Sequence, residues 1–265
     1  MNGNLEEIRS TLARKADTGN VQAMIDYCST YPEAKLMAAS SETRKRVLRY
    51  LKTAARKGNA EALCNLGAAY YGSCLVRHDF TKAVKCYEAS ARKGCVQAMS
   101  NLGYCHYYGR DIPVDYDKAY QWFLKAYVLD RYSQPEACYK LGDCFLHGRG
   151  TAKDAQLAFA LYSQAYKICH SPSVSDFKFI SHGWDPRLLG ADAASRLGDC
   201  WMHGTGCKAD LKKAIRYYRI AVAGFSRRVE LADEFASALL RSAKARLADA
   251  RETIVRKRKR RHKSL

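Results

Sequence analysis

The sequence has few prolines and no long uninterrupted apolar stretch. Only five prolines occur among 265 residues, and none of them interrupts the stretches rich in alanine and leucine. This composition favours helices. No segment approaches the roughly 20 apolar residues that a membrane-spanning helix requires. Hydrophobic residues nevertheless make up 48% of the chain, enough to bury a core. We therefore expect a folded, helical chain without a membrane span.

Paired cysteines and an export signal are also lacking. The eleven cysteines are an odd number and form no Cys-x-x-Cys pair. The first residues contain no apolar segment typical of an export signal, and their acids are unusual for a transit peptide. Free thiols without an export signal are typical of a reducing compartment. We expect a cytoplasmic protein, or a nuclear one in a eukaryotic cell.

Acidic residues are in short supply, especially at the C-terminus. The chain has 26 acids against 45 Lys and Arg, for a formal net charge of +19. A dense positive field favours polyanions such as nucleic acid, anionic lipid or an acidic protein. The alternatives for the basic tail, in which residues 256–265 hold seven Lys or Arg and no acid, are a nuclear import signal and a solvated, unstructured segment that keeps the protein soluble. The tail has no aromatics for base stacking, so reading of a nucleic acid sequence is not expected. Its candidate polyanion-binding residues are Arg256, Lys257, Arg258, Lys259, Arg260, Arg261 and Lys263.

The chain does contain an internal repeat of 36 to 39 residues where it is undisturbed. Each of four copies carries an alanine, a Leu-Gly step four residues later and another glycine five or six residues further on. An aspartate follows, with alanine at +4 and an aromatic residue at +8. The Leu-Gly steps begin at Leu66, Leu102, Leu141 and Leu197, and the aspartates are Asp79, Asp115, Asp154 and Asp210.

Each position of the repeat has a physical reason. Alanine and leucine four residues apart share one face of a first amphipathic helix. A glycine inside that helix costs about 1 kcal/mol relative to alanine, which indicates that a neighbouring helix approaches closely there. The later glycine is suited to a left-handed residue that ends a helix. The aspartate is a good N-cap for a second helix, whose buried stripe holds the alanine and the aromatic residue.

The pattern Ala-x3-Leu-Gly … Gly-x-Gly … Asp-x2-Lys-Ala-x3-(Tyr/Phe) closely resembles the Sel1-like repeat, a relative of the tetratricopeptide repeat. The turn glycines of Gly148-Arg-Gly150 and Gly204-Thr-Gly206 match that family, as do the Lys-Ala steps at Lys82, Lys118 and Lys213. The resemblance implies an all-α, right-handed α-solenoid of helix–turn–helix repeats with a C-terminal capping helix. It also implies a non-catalytic scaffold or adaptor that binds a peptide or protein segment in its concave face.

We expect four regions along the chain. Residues 1–57 form an N-terminal helix and a degenerate first repeat, and residues 58–224 form the solenoid, with an insertion at about 167–189. One capping helix lies in 225–250, read as a single helix over 227–250 with Leu231, Phe235, Leu239 and Leu247 along one stripe. Residues 251–265 form the basic tail. Solenoids need such a terminal element with a polar outer face.

Two places are candidate partner-binding sites. The resemblance implies that first helices line the concave surface, where asparagine amides could bind an extended peptide backbone; the alternative is that these positions are merely solvated. The long insertion carries aromatic residues, which are typical interface anchors. Alternatively, its rings fold back as a plug, or the segment lengthens the next helix from Pro186. The candidates are Asn65, Asn101, Tyr104, Lys140, Asp143, Arg196 and Asp199 on the first helices, and Phe177, Phe179 and Trp184 in the insertion.

No cofactor, metal or catalytic site is expected. Cys144 with His147 and Cys200 with His203 have a spacing that could bind one ion. These pairs belong to successive repeats, whose equivalent helices lie about 8–10 Å apart, too far for one zinc ion to bind both. We interpret the cysteines as small buried residues and the histidines as helix-end residues. A phosphate loop, a Gly-x-Ser-x-Gly motif and a His-Glu-x-x-His motif are all missing.

Overall fold

The computed structural model describes residues 2–31, 36–72, 75–109, 112–130, 135–170, 186–231, 233 and 236–263. These residues form twelve α-helices, and none of them lies in a strand. The chain divides into two compact units, with the boundary after Leu129. The helices of the N-terminal unit are α1 (Asn2–Asp17), α2 (Val21–Ser29), α3 (Ser41–Arg56), α4 (Ala60–Gly72), α5 (Phe80–Ala91), α6 (Val96–Tyr108) and α7 (Tyr116–Leu129). Those of the C-terminal unit are α8 (Pro135–His147), α9 (Ala155–Cys169), α10 (Pro186–His203), α11 (Leu211–Glu230) and α12 (Ala236–Lys263).

The four repeats are helix hairpins, as the sequence predicts. They consist of α4 with α5 and α6 with α7 in the N-terminal unit, and of α8 with α9 and α10 with α11 in the C-terminal unit. Within each unit, successive helices pack against one another. This arrangement confirms the all-α solenoid class of repeats.

The glycine of each Leu-Gly step provides space for the aromatic residue of the second helix. A Cβ atom added at Gly142 would lie 2.5 Å from the Tyr162 ring. An added Cβ at Gly198 would lie at the same distance from the ring of Tyr218. The N-terminal unit has the same contact in both hairpins, at Gly67 and Gly103. The predicted close approach of a neighbouring helix is therefore confirmed.

The turn between the helices of a hairpin is fixed at both ends. Gly109 and Gly204 end their first helices with φ values of 64° and 74°, a left-handed conformation that suits glycine. The Asp154 side chain caps α9 by accepting a hydrogen bond from the Leu157 amide at 2.9 Å, and its own N–H donates to the Phe145 carbonyl at 2.9 Å. Asp79, Asp115 and Asp210 make the equivalent cap and turn bonds.

The N-terminal helices form a less regular hairpin. Tyr50 of α3 is buried, and its hydroxyl donates to Asp17 at 2.7 Å. Its ring meets Tyr27 of α2 edge-on, with centroids 5.2 Å apart. Asn20 caps α2 by accepting from the Ala23 amide at 2.9 Å. α3 packs against both α2 and α4, and the degenerate first repeat before residue 58 stays a prediction.

The end of the chain differs from the prediction of one helix over 227–250. α11 ends at Glu230, and α12 begins at Ala236. The Arg228 side chain donates to Asp233 at 2.6 Å, and the Asp233 amide donates to the Arg228 carbonyl at 3.1 Å. These bonds stabilise the turn between the two helices. Residues 256–263, predicted as part of a tail, continue α12 as helix. The domain boundaries given above otherwise remain a prediction.

Candidate partner-binding surface

The polar residues of the first helices in the C-terminal unit are bonded to one another. Asp143 of α8 is 6% exposed and accepts from Arg196 of α10 through two nitrogens, at 2.5 and 2.7 Å. It also accepts from Lys140 at 3.3 Å and from the Tyr162 hydroxyl at 3.0 Å. Arg196 lies over the Tyr139 ring, 4.8 Å from its centroid. This charge-assisted cluster links α8, α9 and α10.

The environment of Asp143 favours its ionised form. Burial by itself would raise the pKa of this carboxyl. The adjacent charges of Arg196 and Lys140, together with the hydrogen bonds from Arg196 and Tyr162, outweigh burial and lower the pKa to about 2. The sequence predicted Lys140 and Asp143 at a partner surface, yet both are buried and already paired. Their part in partner binding stays a prediction.

Asp199 occupies the equivalent position in the last repeat. It accepts from the Tyr218 hydroxyl at 2.7 Å and from Arg246 of α12 at 2.6 Å. Arg246 also donates to the Ser195 hydroxyl at 3.1 Å. Arg246 of α12 therefore pairs with Asp199 as Arg196 of α10 pairs with Asp143. Arg246 was not among the predicted residues, although residues 243–247 follow the same Ala-x-x-Arg-Leu order as residues 193–197.

A second buried ion-pair cluster lies beside the first. Arg228 of α11 donates to Asp192 of α10 at 2.5 Å and to Asp233 at 2.6 Å. Its side chain is 8% exposed, and that of Asp233 is 5% exposed. Both clusters lie in the C-terminal unit: the first joins the first helices α8 and α10, and the second joins α10 to α11.

The N-terminal unit has uncharged polar groups at the same positions. The side-chain oxygen of Asn65 on α4 is buried and has no hydrogen-bond partner. Asn101 of α6 accepts from Gln97 at 3.3 Å and donates to the Cys64 sulfur at 3.8 Å. The latter contact joins α6 to α4 and places the two asparagines on neighbouring first helices.

Tyr104 extends this surface along α6. Its ring meets Phe123 of α7 edge-on, with centroids 5.6 Å apart, and stacks on Tyr108 at 6.1 Å. Tyr108 is 49% exposed. We call Asn65, Asn101, Tyr104 and Tyr108 the asparagine–tyrosine surface. Three of these residues were predicted from the sequence, and Tyr108 follows from its position four residues after Tyr104.

The cysteines considered for metal binding are buried between helices. Burial raises the pKa of both Cys144 and Cys200 to about 12. His147 ends α8, and burial lowers its pKa. Across the described stretches of the chain, no three His, Cys, Asp or Glu side chains are placed to bind a metal ion together.

Part of the predicted site lies outside the described residues. Phe177, Phe179 and Trp184 belong to that part, so their role stays a prediction. α10 begins at Pro186, in agreement with the alternative prediction that the end of the insertion lengthens the next helix. Within the predicted basic tail, residues 251–265, the side chains of Arg256, Lys257 and Lys259 are exposed on α12. The side chains of Arg258, Arg260, Arg261 and Lys263 are not described.

Comparison with known proteins decides the family. A family model of the Sel1 repeat matches residues 60–95, 96–127, 135–167 and 191–224, just over half of the chain. The chain belongs to the Sel1 repeat family. Members of this family are generally protein–protein interaction scaffolds without catalytic activity. The matched segments correspond to the four hairpins described above.

Solved structures of Sel1 repeat proteins share the fold. A Sel1 repeat protein from Oxalobacter formigenes is 20% identical, with a TM-score of 0.57 over 77% of this chain and 74% of that protein. The antigen c5321 of uropathogenic Escherichia coli, which displays the same repeat fold, is 20% identical with a TM-score of 0.54. That match covers 91% of this chain but only 56% of the antigen. Within the described ranges, no helix is long and apolar enough to span a membrane.

Proposed function

We propose that this Sel1 repeat protein is a non-catalytic scaffold that binds an extended segment of a partner protein on the asparagine–tyrosine surface. The observation that carries this proposal is the buried, unpartnered oxygen of Asn65. A buried polar atom without a hydrogen bond costs roughly 1–3 kcal/mol. When the partner binds, rotation of the Asn65 side chain would bring this oxygen to a donor of the peptide, such as a backbone N–H, and remove this cost.

The difference between the two units supports the same location. In the C-terminal unit, Asp143 and Arg196 are held in a buried internal cluster. In the N-terminal unit, the positions of Lys140 and Arg196 hold the uncharged Asn65 and Asn101, and an amide can both donate to and accept from a peptide backbone. Tyr104 and Tyr108 supply aromatic area beside the amides, and aromatic residues are frequent at the centres of interfaces.

A second candidate function is polyanion binding through residues 256–263. The observation that favours it is that these residues continue α12 as helix, with Arg256, Lys257 and Lys259 exposed. The two functions use different parts of the chain and are compatible.

Site-specific photo-crosslinking tests the scaffold function. We would replace Tyr108 with p-benzoylphenylalanine, irradiate the protein in cells and identify the adducts by mass spectrometry. Gln121, an exposed residue on the second helix of the same repeat, is the matched control position. We expect crosslinks to a partner protein from position 108 and no such crosslinks from position 121.

The asparagines are tested in the same protein. Asn65→Ala combined with Asn101→Ala should abolish the adducts at position 108, because the amides that bind the peptide backbone are lost. The control pair Lys85→Ala and Gln121→Ala, on exposed second-helix positions, should leave them unchanged. Adducts that persist after loss of both asparagines, or that form equally at 121, would show that this surface is not the binding site.

A further inference from the structure

The last helix repeats the sequence and the burial of a first helix. Residues 243–250 read Ala-Lys-Ala-Arg-Leu-Ala-Asp-Ala, against Ala-Ala-Ser-Arg-Leu-Gly-Asp-Cys in residues 193–200. The first, fifth and eighth residues of both segments are buried. Arg246 binds Asp199 as Arg196 binds Asp143. α12 therefore matches the first helix of a repeat in sequence, burial and ion pairing.

α12 is longer than the first helices of the complete repeats. Those helices all end five residues after the Leu-Gly glycine, at Gly72, Tyr108, His147 and His203. In three of them a left-handed glycine follows directly. The equivalent end in α12 is residue 253, but the next residue is Ile254. Without the glycine that would end it, the helix continues for ten more residues to Lys263.

The charge of this extension matches that of duplex DNA. We call residues 256–263 the basic arm. Seven of its eight residues are Lys or Arg. With a rise of about 1.5 Å per residue, the arm carries one positive charge per ~1.7 Å. Duplex DNA carries one negative charge per ~1.7 Å of axis, whereas the spacing along one strand is about 3.4 Å.

The shape of the arm also favours this ligand. Arg256, Lys257 and Lys259 are exposed at positions that point in different directions around the helix, and Arg256 also donates to Glu252 at 2.8 Å. Such a helix can contact phosphates on both sides of the DNA major groove, which admits an α-helix. The major groove of duplex RNA is too narrow for this. The arm contains no apolar residue, and a helix lying in a membrane surface needs an apolar face.

We propose that the basic arm binds duplex DNA along the major groove through its phosphates, without reading the bases. This binding is independent of the scaffold function, because the asparagine–tyrosine surface lies in the other unit of the chain. The protein would thus present a bound partner to DNA, or hold it there.

Fluorescence anisotropy with a labelled duplex of about 25 base pairs tests the proposal. The full chain is titrated at NaCl concentrations from 50 to 200 mM. The logarithm of the binding constant should fall linearly with the logarithm of the salt concentration, with a slope of about 0.9 per phosphate contact. Arg256→Gln, Lys257→Gln and Lys259→Gln together should lower the slope of log K against log salt by about 3 and weaken binding at least about tenfold. A chain ending at Val255 should lose the salt-dependent binding altogether.

The control variant removes equal charge from the neighbouring helix. Lys212→Gln, Arg216→Gln and Arg219→Gln change exposed residues of α11 and should leave the slope unchanged. Circular dichroism confirms that every variant stays folded. The proposal is overturned if the two triple variants weaken binding equally. It is also overturned if the arm binds single-stranded DNA, duplex RNA, polyglutamate or anionic vesicles as tightly as duplex DNA. Adduct formation at position 108 should be the same with and without the arm.

Discussion

The charged residues of the C-terminal unit act mainly on one another. Asp143 lies at the centre of one cluster and Arg228 at the centre of the other. Removing one partner of a buried ion pair leaves the other charge without compensation, which typically costs 3–5 kcal/mol. The first-helix positions that the sequence offers as a polar surface therefore stabilise the hairpin stack in this unit.

Asp143→Asn should destabilise the protein in a pH-dependent way. The folded-state pKa of Asp143, about 2, lies below the ordinary value of 3.8. Its ionised form therefore contributes stability above about pH 4, and that stability is lost as the pH falls towards 2. The difference in unfolding free energy between wild type and variant should shrink by roughly 2 kcal/mol between pH 5 and pH 2. Urea unfolding measures it, and a pH-independent difference would contradict the assignment.

Cys95 should be the most reactive described thiol at neutral pH. It occupies the N-cap position of α6, where α2 and α4 have Asn20 and Asn59. A hydrogen bond with Cys64, together with weaker ones from Ser90 and the backbone of Ala98 and Gln97, lowers the pKa of Cys95 to about 6 against the opposing effect of burial. The thiolate is the reactive form, so alkylation at this site should reach half its maximal rate near pH 6.

Mass spectrometry after a brief iodoacetamide pulse measures this rate site by site. Cys86, which is half-buried and whose pKa is raised by burial, is the internal control. Cys64→Ala should move the midpoint at Cys95 to higher pH, whereas Cys64→Ser keeps a donor and should move it less. A midpoint near 9 for Cys95 in the wild-type chain would show that the hydrogen bond does not act as described.

At the scale of elements, the sequence predicted what is local to one repeat. The aspartate caps, the left-handed glycines and the contact between glycine and aromatic ring all follow from positions a few residues apart. Contacts between repeats were missed, because the Asp143–Arg196 pair joins residues 53 positions apart. The break after Glu230 was also missed. No glycine or proline marks it, and it depends on the bond between Arg228 and Asp233.

Gly142→Ala tests the hairpin packing. The added methyl group would lie 2.5 Å from the Tyr162 ring, which is fully buried and has no room to move. Although alanine is the better helix former by about 1 kcal/mol, overpacking should dominate and give a net loss of about 2 kcal/mol. Chemical denaturation measures the loss.

A double-mutant cycle supplies the control for this substitution. In a Tyr162→Leu background the smaller side chain leaves space for the methyl group, so Gly142→Ala should cost much less there. Equal costs in both backgrounds would mean that the ring does not require the glycine.

At the scale of the whole molecule, we propose separate roles for the repeats and the basic arm. The Sel1 repeats form the scaffold, and the asparagine–tyrosine surface is our candidate for its binding site. The arm extends from α12, whose sequence matches that of a first helix, and is our candidate for DNA binding. The fold class and the family could be predicted from the sequence, because the same pattern of residues occurs four times. The partner could not be predicted, because packing does not constrain the residues at surface positions.

The most direct test of the scaffold function is affinity purification from the native host with nuclease treatment. The full chain is compared with a chain ending at Val255 and with the Asn65→Ala, Asn101→Ala variant. We predict that the same few proteins are retained by the full and shortened chains after nuclease, and are lost with the asparagine variant. If every co-purifying protein instead depends on the arm and disappears with nuclease, the repeats only support a polyanion-binding arm, and the scaffold function is wrong.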